Sequence, residues 1–252
     1  MLLPILAALV VLGVLGMIVS TISGGGSNVI LIPILILLFS FSPGEAIGTA
    51  FLAVVVGSVV AVGRFSRRGY VDFRRGVVLG MFTVPGIVTG SVLSFLAEGG
   101  IFRVLLGVVV MALAVVMVMR DPNTRREGAD EAETYHVNLK LGAILFGLVG
   151  FFIGFFGQGG GLIVVPVLIL IGFSTIVSLG TVRLITIIVG GTAFLSRLAL
   201  SQVNITYGLA LAIGAMIGAL IGVRVATAMR AKVLRLVAAM FIAALGLMLI
   251  VI

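Results

Sequence analysis

The chain has 252 residues, 62% of them hydrophobic and 10% charged, with a mean hydropathy of +1.42 and a net charge of +8. Soluble domains are about 45–50% apolar and about 25% charged, so this composition excludes an ordinary soluble globule and an acidic or disordered chain. The absence of cysteine excludes disulfides and thiol chemistry.

Read in chain order, apolar segments fall at 3–22, 28–40, 44–63, 75–97, 101–119, 139–156, 161–172, 175–196, 205–226 and 233–252. Apolar runs of about 18 residues or more read as membrane spans, which makes the bilayer the principal partner. The first segment has no basic residue before it and no small-residue cleavage site, so it reads as a retained span. It runs into "TISGGGSNVILIP" (21–33), three glycines between two apolar stretches. The third segment opens on "SPGE" (42–45), which has the form of a capping box with Glu45 as its acidic member. The next loop carries Arg64, Arg67, Arg68, Arg74 and Arg75 with Asp72 among them, an expected loop ion pair. The one long hydrophilic stretch, residues 120–140, holds both charge signs and the sole histidine, His136, and reads as a loop. A second break follows, "GQGGGLIVVP" (157–166), then "SLGTVRLITI" (178–187), which puts Arg183 inside an apolar segment. The basic residues otherwise cluster in short loops, where the positive-inside rule places them, so no nucleic-acid partner is expected.

The two sides of the hydrophilic stretch match. Gly48-Thr49 corresponds to Gly180-Thr181, and Pro33 to Pro166. Gly76, Gly86 and Gly90 recur 132 positions later as Gly208, Gly218 and Gly222. Such duplication is the sequence signature of a secondary transporter. The arginine-rich loop at 64–75 has a counterpart with Arg197 alone, whereas Glu98 and Arg103 correspond to the basic Arg230, Lys232 and Arg235. Basic loops stay in the cytoplasm, so the halves are expected to be inverted. The expected architecture is therefore an all-α polytopic membrane protein of two inverted repeats with about five segments each. Residues 1–119 form the first repeat, 120–138 a cytoplasmic linker and 139–252 the second repeat, in a multi-pass protein of the cell membrane.

Segments 28–40 and 161–172 are about 12 residues, or about 18 Å at ~1.5 Å per residue, against a bilayer core of about 30 Å. The triplets are thus expected to open broken or re-entrant helices. A helix starting at membrane depth offers unpaired N–H groups and a positive dipole end, and glycines let backbone form an anion nest. The expected substrate site comprises Gly24, Gly25, Gly26, Ser27 and Asn28 at the first break and Gln158, Gly159, Gly160 and Gly161 at the second. The competing reading is that the triplets serve close helix packing, as the small-residue spacings at 86–90 and 214–222 do. Arg183 completes the expected site, since intramembrane charge is expensive and usually functional. Its alternative role is to snorkel to the interface or bond a backbone carbonyl. Its counterpart in the first half is Phe51.

"GQGGGLIVVPVLILIG" (157–172) with "SLGTVRL" (178–184), and the weaker copy "SGGGSNVILIPILILL" (23–38) with "AIGTAF" (46–51), resemble the TauE/SafE family of sulfite exporters. The resemblance covers nearly the whole chain. It implies export of sulfite, thiosulfate or an organosulfonate, and it adds Thr49 and Thr181 to the site. The expected function is secondary transport of a small sulfur-containing anion by alternating access, with a channel-like anion pore and a non-transporting scaffold as alternatives. No metal or cofactor is expected, and no catalytic constellation can be assembled within the membrane.

Overall fold

The computed structural model describes residues 2–41, 43–94, 139–156, 160–199, 201–228 and 240. The expected segments 101–119 and 233–252 and the linker at 120–138 lie outside the described residues, Met240 excepted, as do Glu98, Arg103, His136, Arg230, Lys232 and Arg235.

The described residues are helical, with no strand among them. The helices are α1 (Leu2–Ser23), α2 (Ser27–Phe39), α3 (Pro43–Ser66), α4 (Phe73–Ser94), α5 (Leu139–Phe156), α6 (Gly160–Leu170), α7 (Thr175–Ala199) and α8 (Ile205–Ala228). Among them, Leu3–Ile22, Glu45–Ser66, Thr175–Ala199 and Ile205–Ala228 are long and apolar enough to cross a membrane. The outer faces are apolar too: Ile144, Leu195 and Met81 are among the most exposed side chains. A water-soluble bundle would turn polar residues outward, whereas lipid tolerates this arrangement.

Glycine determines how the helices meet. A Cβ built on Gly214 would lie 2.0 Å from the Val10 carbonyl oxygen, and one on Gly218 2.4 Å from that of Val14. α1 and α8 therefore run parallel in backbone contact, which only hydrogen at these positions permits. α4 and α5 repeat the arrangement, with Gly86 against the Gly147 carbonyl at 2.3 Å and Gly150 against that of Thr83 at 2.1 Å. α3 and α7 run antiparallel: Gly48 of α3 sits beside Arg197 and Gln202, while Gly190 of α7 meets Phe51 and Val55.

That antiparallel pair sends its two following loops to opposite ends. The loop after α7 lies against the start of α3, where a Gly48 Cβ would be 2.2 Å from the Gln202 carbonyl. The loop after α3 lies against the start of α7, where a Gly180 Cβ would be 2.0 Å from the Tyr70 carbonyl. The loops share a construction. Tyr70 N–H donates to the Phe65 carbonyl at 3.0 Å, and 132 positions later Gln202 N–H donates to that of Arg197 at 2.9 Å. Asp72 caps α4 by accepting from Arg75 N–H at 2.9 Å, and Asn204 caps α8 by accepting from Tyr207 N–H at 3.2 Å. The expected Asp72 ion pair is present, to Arg75 at 3.2 Å. Glu45 lies in the first turn of α3, and its expected capping partner Ser42 lies outside the described residues.

Candidate functional site

Two short helices stop inside this frame. α2 has 13 residues and α6 has 11, so they span about 20 Å and about 17 Å at ~1.5 Å per residue. α1 ends at Ser23 because the chain turns through Gly24 at φ +83° and Gly26 at φ +98°, left-handed values that residues with a Cβ rarely adopt. A Cβ on Gly24 would also lie 2.3 Å from Val165 Cγ2 of α6. The first break is thus pressed against the second short helix. α2 begins at Ser27, and Gly26, in the N-cap position, has no side chain to satisfy the first-turn N–H groups.

Beside that helix start is a cavity of about 50 Å³. Gly25, Gly26, Ser27 and Asn28 line one side of it, and Arg183 and Thr186 of α7 another. Phe51 and Val54 of α3, Ser20 of α1 and Ile153 of α5 add to the wall. Phe51 and Arg183 are 132 positions apart in sequence, as are Val54 and Thr186, and all four line this one space.

Arg183 is the only charged residue lining the cavity among those described, and it is fully buried. It is the ninth residue of α7, about 12 Å along the helix at ~1.5 Å per residue. Its Nη1 donates to Ser20 Oγ at 3.0 Å and its Nη2 to the Ser20 carbonyl oxygen. Its Nε has no hydrogen-bond partner, and neither does Asn28 Oδ1, which is also buried. Native proteins pair nearly all buried polar atoms, so two unpaired ones on the wall of one cavity point to a polar occupant. Arg183 does not snorkel. It bonds a backbone carbonyl, as its alternative role had it, and faces the cavity as well.

The other expected site residues divide. Gly24 belongs to the break, behind the cavity wall. Gly160 and Gly161 are the first two residues of α6, and Gln158 and Gly159 lie outside the described residues. Thr49 and Thr181 are not among the cavity-lining residues. Each is fully buried and anchors a loop, Thr49 Oγ1 accepting from Asn204 N–H at 3.0 Å and Thr181 Oγ1 from Asp72 N–H at 3.1 Å. Ser20, Thr186 and Ile153 line the cavity without having been singled out in the sequence. Ser20 had one available signal, its place one helical turn before Gly24.

The sequence profile of the family described as "Sulfite exporter TauE/SafE" matches residues 9–249. The chain belongs to that family. It is also similar to the probable membrane transporter protein YunE of Bacillus subtilis, 26% identical over 244 residues that cover 89% of each chain. A probable membrane transporter protein, ORF9, of a Sinorhizobium species is 26% identical over 92% of this chain and 87% of its own. One from Methanocaldococcus jannaschii is 23% identical over 96% of this chain and 94% of its own. No solved structure matches the chain. Membership of the TauE/SafE family together with the apolar helices makes this an integral membrane transporter. Within a TauE/SafE chain, a buried guanidinium beside an uncapped helix start gives two positive groups aimed at one small space. Two such positive groups stabilise an anion in that space.

Proposed function

We propose that this transporter carries a compact sulfur oxyanion across the cell membrane by alternating access between two inverted halves. The observation that carries the reading is the buried Arg183, with an unpaired Nε at a cavity that also meets the start of α2. One cationic side chain and a helix N-terminus suit a small anion with several oxygens. A cavity of about 50 Å³ holds a few water-sized groups, on the scale of one sulfur with its oxygens.

Three observations support inverted halves of about five segments each. The loops after α3 and α7 lie at opposite ends of that helix pair. The turns at Ser40 and Gly172, and again at Gly69 and Ser201, have positive φ at positions 132 apart. The α1–α8 and α4–α5 pairs use the same parallel, glycine-mediated contact. The substrate cavity then lies where the halves meet, as in transporters built from inverted repeats.

The test is counterflow in proteoliposomes loaded with unlabelled sulfite. A carrier accumulates labelled sulfite by exchange, and the purified protein is expected to do so. Anion conductance without exchange stimulation would make it a pore, and neither activity would leave a scaffold.

A further inference from the structure

We propose that Ser20 is an internal competitor of the transported anion. It occupies the forked edge of Arg183, and an oxyanion arriving at the start of α2 takes that edge, releasing the last turn of α1 from α7. The inference rests on the reading that Arg183 and the α2 N-terminus hold the anion, and it adds how binding is coupled to movement.

The geometry of the fork carries it. Both bonds from the Arg183 terminal nitrogens go to one residue, to Ser20 Oγ and to the Ser20 carbonyl oxygen. Two acceptor oxygens presented together are what an oxyanion offers a guanidinium. Ser20 therefore imitates a ligand at the wall of the cavity the ligand would enter. Its carbonyl is one of the last four of α1, which end without a helical N–H donor of their own. A cation there also complements the negative end of the helix dipole. Arg183 is thus the cap of α1, while the positive end of α2 opens onto the same cavity. One cation serves two negative partners, the end of α1 and any bound anion, and its terminal Nη1/Nη2 edge, unlike Nε, is already taken by Ser20.

The location of the clamp links it to motion. Ser20 is one helical turn before Gly24, where the backbone takes left-handed geometry. Loss of the Arg183 bonds would free the last turn of α1 next to Gly24 and Gly26, whose left-handed backbone joins α1 to α2. At the offset of 132, the counterparts of Ser20 and Arg183 are Phe152 and Phe51, both apolar. The clamp therefore acts on the α1 side of the cavity and has no counterpart at these positions on the other.

The decisive measurement is the sulfite dissociation constant of the purified full-length chain, wild type against Ser20→Ala. Removing the competing hydroxyl should tighten sulfite binding about tenfold, equivalent to about 1.4 kcal/mol. Ser20→Cys keeps the bulk with a weakly accepting sulfur and should move the constant the same way, which covers failure of the alanine variant to fold. In an Arg183→Ala background neither substitution should restore binding. If Arg183→Ala weakens binding but both Ser20 variants bind as wild type or worse, Ser20 is only a structural cap and the competitor proposal is overturned. If Arg183→Ala itself leaves the constant unchanged, it is the site reading that fails.

Discussion

At the scale of single residues, Arg183 joins a demand of folding to one of binding. A fully buried guanidinium must be hydrogen-bonded, and its two bonds to Ser20 meet part of that requirement while Nε stays unpaired. Arg183→Ala is expected to abolish sulfite binding in titration calorimetry. Arg183→Lys keeps the charge without the planar fork and should weaken binding by about tenfold to a hundredfold, on the scale of one charge-assisted hydrogen bond of ~1.5–3 kcal/mol. An unchanged constant in the alanine variant would leave the helix start as the sole anion site. Thr49 and Thr181 should behave differently. Replacing either with valine removes a loop anchor and should cost about 1 kcal/mol of stability with the dissociation constant unaltered, read by denaturation and titration side by side. These residues also show what a sequence conceals. Arg183 was legible because a charge in an apolar segment is rare. Ser20 was marked only by its place one turn before Gly24, since a serine hydroxyl in an apolar helix stands out neither by charge nor by periodicity. The threonines entered the expected site through the family resemblance alone, and only geometry shows that their hydroxyls bond loop backbone.

At the scale of elements, the bounds of the described helices were legible to within a few residues, because lipid-length apolar runs and glycine breaks are strong signals. The shortness of α2 and α6 was legible for the same reason. What the sequence left open was the division of labour among glycines, since packing and φ > 0 call for the same residue. The structure separates them. Gly24 combines φ +83° with a built Cβ 2.3 Å from Val165 Cγ2, so it serves the break. Gly214 and Gly218 serve the approach of α8 to α1. Gly24→Ala should therefore destabilise the protein by about 1–2 kcal/mol from backbone strain alone, with the side-chain overlap added. The same change at Gly63, where a Cβ meets nothing within 4 Å, should be neutral or slightly stabilising. Thermal unfolding of the two variants in one detergent tests the contrast, and equal melting temperatures would remove the strain argument.

At the scale of the whole molecule, the open question is which loop faces which side of the membrane. α3 has 24 residues, about 36 Å at ~1.5 Å per residue, which exceeds a hydrocarbon core of about 30 Å. Its far end delivers the loop holding Arg67 and Arg68, while its near end, at Gly48, packs against the loop holding Gln202. A helix that spans the bilayer cannot have both of its ends in one compartment, so the two loops must be on opposite sides. The positive-inside rule predicts that the first loop, with its basic residues, faces the cytoplasm. Arg68 Nη1 also donates to Thr227 Oγ1, which brings the last turn of α8 to the same end of the bundle. The chain has no cysteine, so a single introduced thiol reports one position without background. A cysteine at Ser66 should react with a membrane-impermeant maleimide only when the cytoplasmic face is exposed, and one at Ser201 only from outside intact cells. Labelling of both from the same side would contradict the antiparallel α3–α7 pair as a transmembrane unit, and with it the inverted halves on which alternating access depends.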